Sequence, residues 1–298
     1  MNTLVSGASG LIGSAFCAAW TGCGHRVVKL RRSPAPSGHP HPSWDPARGE
    51  VDWRGLEGVD AVVHLAGEPV AQRWSPASKA RILQSRAIGT RRLVEALSRL
   101  PQPPSILVCA SATGVYGDRA DEILDEQSRP GSGFLAEVCR AWEDATLPAV
   151  EVGIRVVNLR FGVVLSARGG ALAKILPPFR LGLGGRLGSG RQYWSWIALE
   201  DALGAITHAL RTDALRGPVN VVSPHPVTNQ EFTRVLGAVL GRPALLPVPG
   251  FLIRLLLGEM GREALLAGAR VQPRSLEGTG FRFQFPRIEP ALRHLLGK

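Results

Sequence analysis

Residues 7–13 read GASGLIG, with Gly7, Gly10 and Gly13 at intervals that let a backbone approach a dinucleotide pyrophosphate. The apolar run Thr3 to Val5 stands just before them, and Leu11, Ile12, Ala15 and Phe16 follow at helical spacing. A strand, a tight turn and a helix are predicted. The three glycines do different things. Gly7 permits the sharp turn, Gly10 removes a side chain that would collide with phosphate, and Gly13 lets helix and strand pack closely. Free amides at the start of the helix then face the anion.

Outward from this turn the pattern alternates. Strands are expected at Thr3–Ser6, Arg26–Arg31, Ala61–Leu65, Ile106–Ala110, Ile154–Arg160 and Val219–Val222, with helical patterns such as Lys79–Leu100 and Phe134–Leu147 between them. The fold class this predicts is α/β: a Rossmann-like, doubly wound parallel sheet with a small, mostly helical C-terminal substrate lobe. Residues 1–170 are read as the nucleotide-binding domain, its sheet completed by 196–222, and residues 171–298 as the substrate lobe. Periodicity weakens after Ser166, where Gly169, Gly170 and the run from Gly182 to Gly190 interrupt it. The alternating Phe281, Phe283 and Phe285 read as a half-buried strand.

The second strand selects the cofactor. It ends Leu30, Arg31, Arg32, Ser33, with no acid before Asp45. An NAD site commonly places a carboxylate there for the ribose hydroxyls, whereas two guanidiniums suit the additional phosphate of NADP. NADP is therefore the expected cofactor. In the Pro- and Ser-rich loop that follows, His39 and His41 lack carboxylate or thiol company, so no metal is expected.

Composition removes other classes. The net charge of +11 comes from 35 basic residues, of which only Lys29, Lys79, Lys174 and Lys298 are lysines. They form no dense run and no stripe interleaved with aromatics, so a nucleic-acid partner is not expected. No apolar stretch approaches bilayer length, and Arg254 interrupts the segment Phe251–Leu257. The first strand begins almost at Met1, which leaves no room for a signal peptide. A cytoplasmic protein, monomer or homodimer, acting on a small molecule is expected. Cys17, Cys23, Cys109 and Cys139 form no C-x-x-C pair and read as buried free thiols.

GASGLIG, DAVVHLAG (60–67), SATGVYG (111–117) and LGSGRQYWSWIALEDALGAI together resemble the extended short-chain dehydrogenase/reductase superfamily. RWSPASKARILQSRAIGT, FLAEVCRAWE, LPPFRLGLGGRLGSG and LLAGARVQPRSLEGTGFRFQFP narrow the resemblance to its "epimerase family protein" subgroup. The resemblance spans nearly the whole chain and implies an NADP-binding Rossmann domain with a small C-terminal lobe. It puts Ser9, Gly10, Leu11 and Ile12 on the pyrophosphate and Arg31 with Arg32 beside the adenosine phosphate. Leu65, Ala66 and Gly67 would end the strand along the cofactor, and Arg86 would face the dinucleotide from a long helix. Val163 and Val164 suit packing against the nicotinamide ring. His64, in an apolar strand, reads as a satisfied core histidine.

One departure from the superfamily governs the chemistry. Its members use Tyr-x-x-x-Lys, in which lysine lowers the phenol pKa so that tyrosine exchanges a proton with the reacting oxygen. Here the only tyrosines are Tyr116 and Tyr193, followed four residues later by Ala120 and Ile197. The helix that should carry the pair offers Phe134 with Val138, or Leu135 with Cys139. The usual serine or threonine position holds Ala112, flanked by Ser111 and Thr113. Ser111 and Tyr116 are the candidate catalytic residues, Ser111 also as a contact to the nicotinamide. Tyr193 and Glu137 are further proton sources. Three readings follow: an NADP(H)-dependent oxidoreductase with another proton donor, a sugar-nucleotide epimerase, or a non-catalytic NADP(H)-binding sensor. Asp201 reads as capping or supporting the helix that follows it. The segment Leu187–Trp196 could stack a ring and hold an acidic group through Arg191 and Gln192.

Overall fold

The computed structural model describes residues 1–32, 42–45, 50–51 and 56–298. Its first half runs β1 (Asn2–Ser6), α1 (Leu11–Gly22), β2 (Arg26–Arg32), β3 (Ser43–Asp45), β4 (Glu50–Val51), β5 (Ala61–His64), α2 (Pro76–Ser98), β6 (Ile106–Ala112), β7 (Ile123–Leu124), α3 (Phe134–Asp144) and α4 (Leu147–Glu151). Then come β8 (Arg155–Phe161), β9 (Val163–Ser166), α5 (Gly170–Arg180), β10 (Tyr193–Trp194), β11 (Trp196–Ala198), α6 (Leu199–Arg211) and β12 (Gly217–Val221). The chain closes with β13 (Val227–Thr228), α7 (Asn229–Leu240), α8 (Gly250–Gly261), β14 (Arg270–Val271), α9 (Arg274–Gly278) and α10 (Ile288–Leu296).

The central sheet has the order β12-β8-β6-β5-β1-β2-β3-β4, parallel except for the antiparallel edge strand β4. The chain moves from β1 outward through β2 and β3, then returns to the other side of β1 at β5. That reversal between β1 and β5 is the topological switch point at which doubly wound sheets open a crevice. The six strands expected for this sheet all form. Their residues are apolar because both faces are covered: Leu4, Val5, Val62, Val63, Leu107, Val108, Val157 and Leu159 are fully buried. Phe16 and Trp20 of α1, Leu93 and Leu97 of α2, and Ile206 of α6 pack on this layer.

The C-terminal lobe has its own core. Leu172, Leu176 and Phe179 of α5 meet Phe232 and Leu236 of α7, Leu292 of α10 and the buried Trp194 and Trp196. The expected strand at 281–285 is absent. Phe281 packs edge-on against Phe283 with centroids 4.8 Å apart, and Phe285 stacks on His294. The alternation reflects burial against α6 and α10, while the backbone finds its partner in a side chain. Asp201, fully buried in the first turn of α6, accepts the amides of Gln284 at 2.7 Å and Phe285 at 2.9 Å. It therefore anchors the C-terminal segment and does not cap its own helix, whose N-cap is Ala198. Cys17, Cys109 and Cys139 are buried, but Cys23 is exposed at the end of α1, where the helix faces solvent. His39 and His41 lie outside the described residues.

Candidate functional site

The glycine turn sits at the switch point. Gly7 has φ of +67°, and a Cβ there would lie 2.7 Å from the carbonyl of Leu65 at the end of β5. A Cβ at Gly13 would come within 2.2 Å of the Gly7 oxygen, so only glycine lets α1 sit this close to β1. At Gly10 an added Cβ would press on the Gly7 oxygen at 3.3 Å, and the residue itself lines the crevice. No side chain caps α1 and no acid stands in its first turn. The first amides, from Leu11 to Gly13, thus remain for an anion.

These residues wall a cavity of about 660 Å³ lined by Gly7, Ser9, Gly10, Arg31, Leu65, Ala66 and Gly67. Lys29 and Trp44 also line it, and sequence reasoning missed both. Lys29 lies one strand repeat before Arg31, so alternation along β2 puts both on one face, a signal present in the sequence. Trp44 comes from β3, beyond the proline-rich loop. The side chain of Arg32 lies outside the described residues. Leu11 packs against Gly169 and Gly170 and holds α1 to the lobe.

Beneath the turn lies a buried chain of hydrogen bonds. His64 contacts Ser6 Oγ through Nδ1 at 2.6 Å and Thr90 Oγ1 through Nε2 at 2.9 Å. Ser6 Oγ accepts the amides of Leu65 and Ala66 at 3.2 and 3.4 Å. Full burial, with a contribution from the Arg86 charge, pulls the imidazole pKa down to about 4. His64 is thus a neutral core residue that shapes the turn.

A second cavity, about 390 Å³, opens at the other end of the crevice. Its walls include Arg86 from α2, Ala112 and Thr113 from the end of β6, Leu135, Cys139 and Trp142 from α3, and Val163 from β9. Tyr193 and Ser195 close one side, and Glu263 and Ala267 cover it from the C-terminal segment. Val164, half-buried, packs against the main core. Leu135 and Cys139 are one turn apart on the same face of α3, which puts a hydrocarbon and a thiol on the wall. Burial, with the Glu143 charge adding, pushes the Cys139 pKa up to about 11. Glu263 accepts the amides of Phe134 at 3.2 Å and Leu135 at 3.0 Å, supplying α3 with the cap that Gly133 lacks.

Two expected catalytic side chains point away from this cavity. Tyr116 is fully buried, and its hydroxyl donates toward Asn220 Oδ1 at 2.8 Å and the Asp125 carbonyl at 2.9 Å while accepting from Arg160 at 3.0 Å. Ser111 donates to Glu143 Oε1 at 2.7 Å, and Glu143 is clamped by Arg160 through two further bonds of 2.8 and 2.9 Å. The 3-10 turn Thr113–Tyr116 rotates the tyrosine inward, and Gly117, at φ +65°, reverses the chain behind it. Both residues belong to a hydrogen-bonded network under the cleft, and neither lines this cavity. Of the other expected donors, Glu137 is exposed and only Tyr193 lines the cavity. Gln192 is spent on the carbonyls of Leu187 and Leu265, and Arg191 is exposed outside the cleft, so neither holds an acidic group there. Among the described residues no group of three or more His, Cys, Asp or Glu is placed to hold a metal. No helix among them is long and apolar enough to cross a membrane.

Residues 3–223 match the NAD dependent epimerase/dehydratase family, and residues 248–295 match a domain of unknown function, DUF1731. An epimerase family protein of Mycobacterium bovis is 46% identical over 290 residues, covering 97% of this chain and 95% of that protein. The crystal structure of human epimerase family protein SDR39U1, isoform 2, with NADPH superposes with a TM-score of 0.88 at 34% identity, covering all of both chains. A nucleoside-diphosphate sugar epimerase from Corynebacterium glutamicum gives 0.82 at 36% identity, covering all of this chain and 58% of the other. Glycine turn, sheet order and relatives agree: the chain belongs to the NAD dependent epimerase/dehydratase family, in the epimerase family protein branch of the short-chain dehydrogenase/reductase superfamily.

Proposed function

We propose that this chain is an NADPH-binding oxidoreductase that acts on a small molecule without a Tyr-x-x-x-Lys pair. The observation that carries the reading is a pair of neighbouring cavities that meet where Gly67, lining one, touches Arg86, lining the other. One is a glycine-walled pocket bearing Lys29 and Arg31, and the other is a cleft lined by Tyr193 but by no tyrosine–lysine pair. The first fits the cofactor: Gly10 leaves the approach open, the α1 amides suit a diphosphate, and the two cations suit a further phosphate. NADPH, when bound, supplies the hydride. The protein's own part is to hold the dinucleotide, to keep the cleft walled by Ala112, Leu135 and Val163, and to exchange a proton with the substrate through Tyr193.

The named relatives include epimerases, yet epimerisation through a keto intermediate needs a strong base. The helix that carries that base in the superfamily offers Phe134 or Leu135 in its place here, and the thiol of Cys139 on the cleft wall is held protonated. The same observation favours a second reading, an NADPH-binding protein without turnover. Nicotinamide fluorescence titration with NADPH and NADH tests the cofactor assignment, with NADPH expected to bind tighter by about tenfold or more. NADPH oxidation across a panel of carbonyl compounds, comparing wild type with Tyr193→Phe, separates the two readings. Turnover that falls in the variant supports the oxidoreductase. Tight NADPH binding with no turnover on any compound supports the binding protein.

A further inference from the structure

The C-terminal lobe carries an apolar surface that none of the described residues covers. Segment 246–248 runs beside segment 184–188: the Leu246 amide donates to the Gly184 carbonyl at 3.1 Å, the Val248 amide to that of Arg186 at 2.9 Å, and the Gly188 amide to that of Val248 at 2.8 Å. The leucines around this pairing face outward. Leu245 is 82% exposed and Leu181 74%, with Leu183 and Leu246 also exposed. Directly after the pairing, α8 adds Phe251, Leu255 and Leu256, all exposed. Ile253 and Met260 on the other side of α8 are buried, so the helix is apolar nearly all round and rests on protein along one side only. A helix of that kind belongs in an interior, and a surface this apolar marks contact with something outside the molecule.

Every charge on the stretches that build this surface is positive. Residues 180–199 and 232–258 contain Arg180, Arg186, Arg191, Arg234, Arg242 and Arg254 and no aspartate or glutamate. All six arginines are exposed. Arg186, Arg234 and Arg242 line a cavity of about 420 Å³ that Leu245 also borders. Arg186 is fixed there by bonds to the carbonyls of Gly188 and Ser189, each 2.9 Å. Among the described residues no carboxylate pairs with Arg234 or Arg242, that of Glu231 on the same helix as Arg234 included.

What covers this surface has to be apolar in part and negative in part. A second copy of the chain does not qualify, because a two-fold contact sets the patch against itself and arginine against arginine. A folded partner needs a matching shape, whereas acyl chains close around side chains that project singly, as these do. We propose that the C-terminal lobe docks on the surface of an anionic phospholipid bilayer, with Leu245, Phe251 and Leu255 entering the acyl boundary and a headgroup phosphate held in the arginine-lined cavity. The 12 residues of α8 are too few to cross a bilayer and suit a helix lying in its surface. Guanidinium forks match phosphate oxygens in geometry as well as charge. This docking is independent of the chemistry in the crevice.

The test is co-sedimentation of the full chain with vesicles of phosphatidylcholine alone and of phosphatidylcholine and phosphatidylglycerol in equal parts. Binding is expected to be about tenfold or more tighter on the anionic vesicles and to weaken as salt is raised. Arg234→Gln with Arg242→Gln, and separately Leu255→Ser with Leu256→Ser, should each weaken it by about tenfold or more. NADPH titration by nicotinamide fluorescence should be unchanged in both variants, which shows that they fold. No preference for the anionic vesicles overturns the proposal, as does binding that either double variant leaves intact. A wild-type dimer in sedimentation velocity that the leucine variant dissociates, without vesicle binding, assigns the face to a second copy and also overturns it. Retention on immobilised polyglutamate as strong as on the anionic vesicles does the same in favour of an acidic protein. Should the leucine variant fail to fold, Leu245→Ser, at the most exposed of these positions, carries that arm.

Discussion

The two ends of the crevice are built from different materials. The glycine end is mostly backbone: Gly7, Gly10 and Gly13, the first amides of α1, and the end of β5. The far end is side chains from β6, α2, α3, β9, β10 and the C-terminal segment. A backbone site depends on local turn geometry and survives most substitutions that keep the glycines. A side-chain site depends on packing across the whole molecule, and its chemistry is free to drift while the fold stays fixed.

The strongest test of this contrast is to break the network beneath the far end. Arg160 and Glu143 are 7% and 15% exposed, so Arg160→Met leaves a carboxylate buried without its partner. A loss of about 3–5 kcal/mol in urea unfolding is expected. The glycine end should keep its NADPH affinity in whatever fraction stays folded. Next in size is a proton. His64 is neutral in the fold down to about pH 4, whereas the unfolded chain takes up a proton near its ordinary pKa. The unfolded state then binds more protons between these limits, so stability falls as pH drops from about 6.5 to about 4, by about 3 kcal/mol for this group. Below that the contribution is constant. Unfolding curves at several pH values check it, and His64→Gln should flatten that part of the slope.

The third effect is confined to the glycine end. Changing Lys29 and Arg31 together to Ala is expected to weaken NADPH by about tenfold or more while NADH changes little, read by nicotinamide fluorescence. Equal losses for both cofactors would mean that these cations serve the shared part of the dinucleotide. The smallest effect belongs to the pair Lys79–Glu259, 2.9 Å apart and about a third exposed on each side, which links α2 to α8. Lys79→Ala should cost less than about 1 kcal/mol, and that cost should shrink in salt.

The same contrast explains what is legible in the sequence. The sheet strands and the glycine turn follow from runs of apolar residues and from spacing within a dozen positions, so both can be read directly. Lys29 is masked by the arginines that follow it, although β-alternation pairs it with Arg31. Tyr116 and Ser111 show that sequence distance to the cleft is not direction: beyond a single 3-10 turn the phenol meets Arg160 and Asn220. Glu263 and Arg86 carry no local signal of their contacts. Glu263 acquires its role as a cap only when the C-terminal segment reaches α3, and Arg86 its environment only when Trp142 and Gly67 close on it. The phenylalanines at 281–285 alternate as a strand would, yet the amides of Gln284 and Phe285 belong to Asp201.

Glu263 also sets an order in time. Its carboxylate caps a helix that begins 129 residues earlier in the chain, so on a growing polypeptide α3 waits, its first turn unfinished, until more than a hundred further residues have been made. The parallel sheet and the glycine turn draw on residues up to 221 only. Loop-closure entropy makes such a distant contact late to form. The far wall of the crevice is in this sense stitched across the chain: a helix in its middle is finished by a carboxylate near its end.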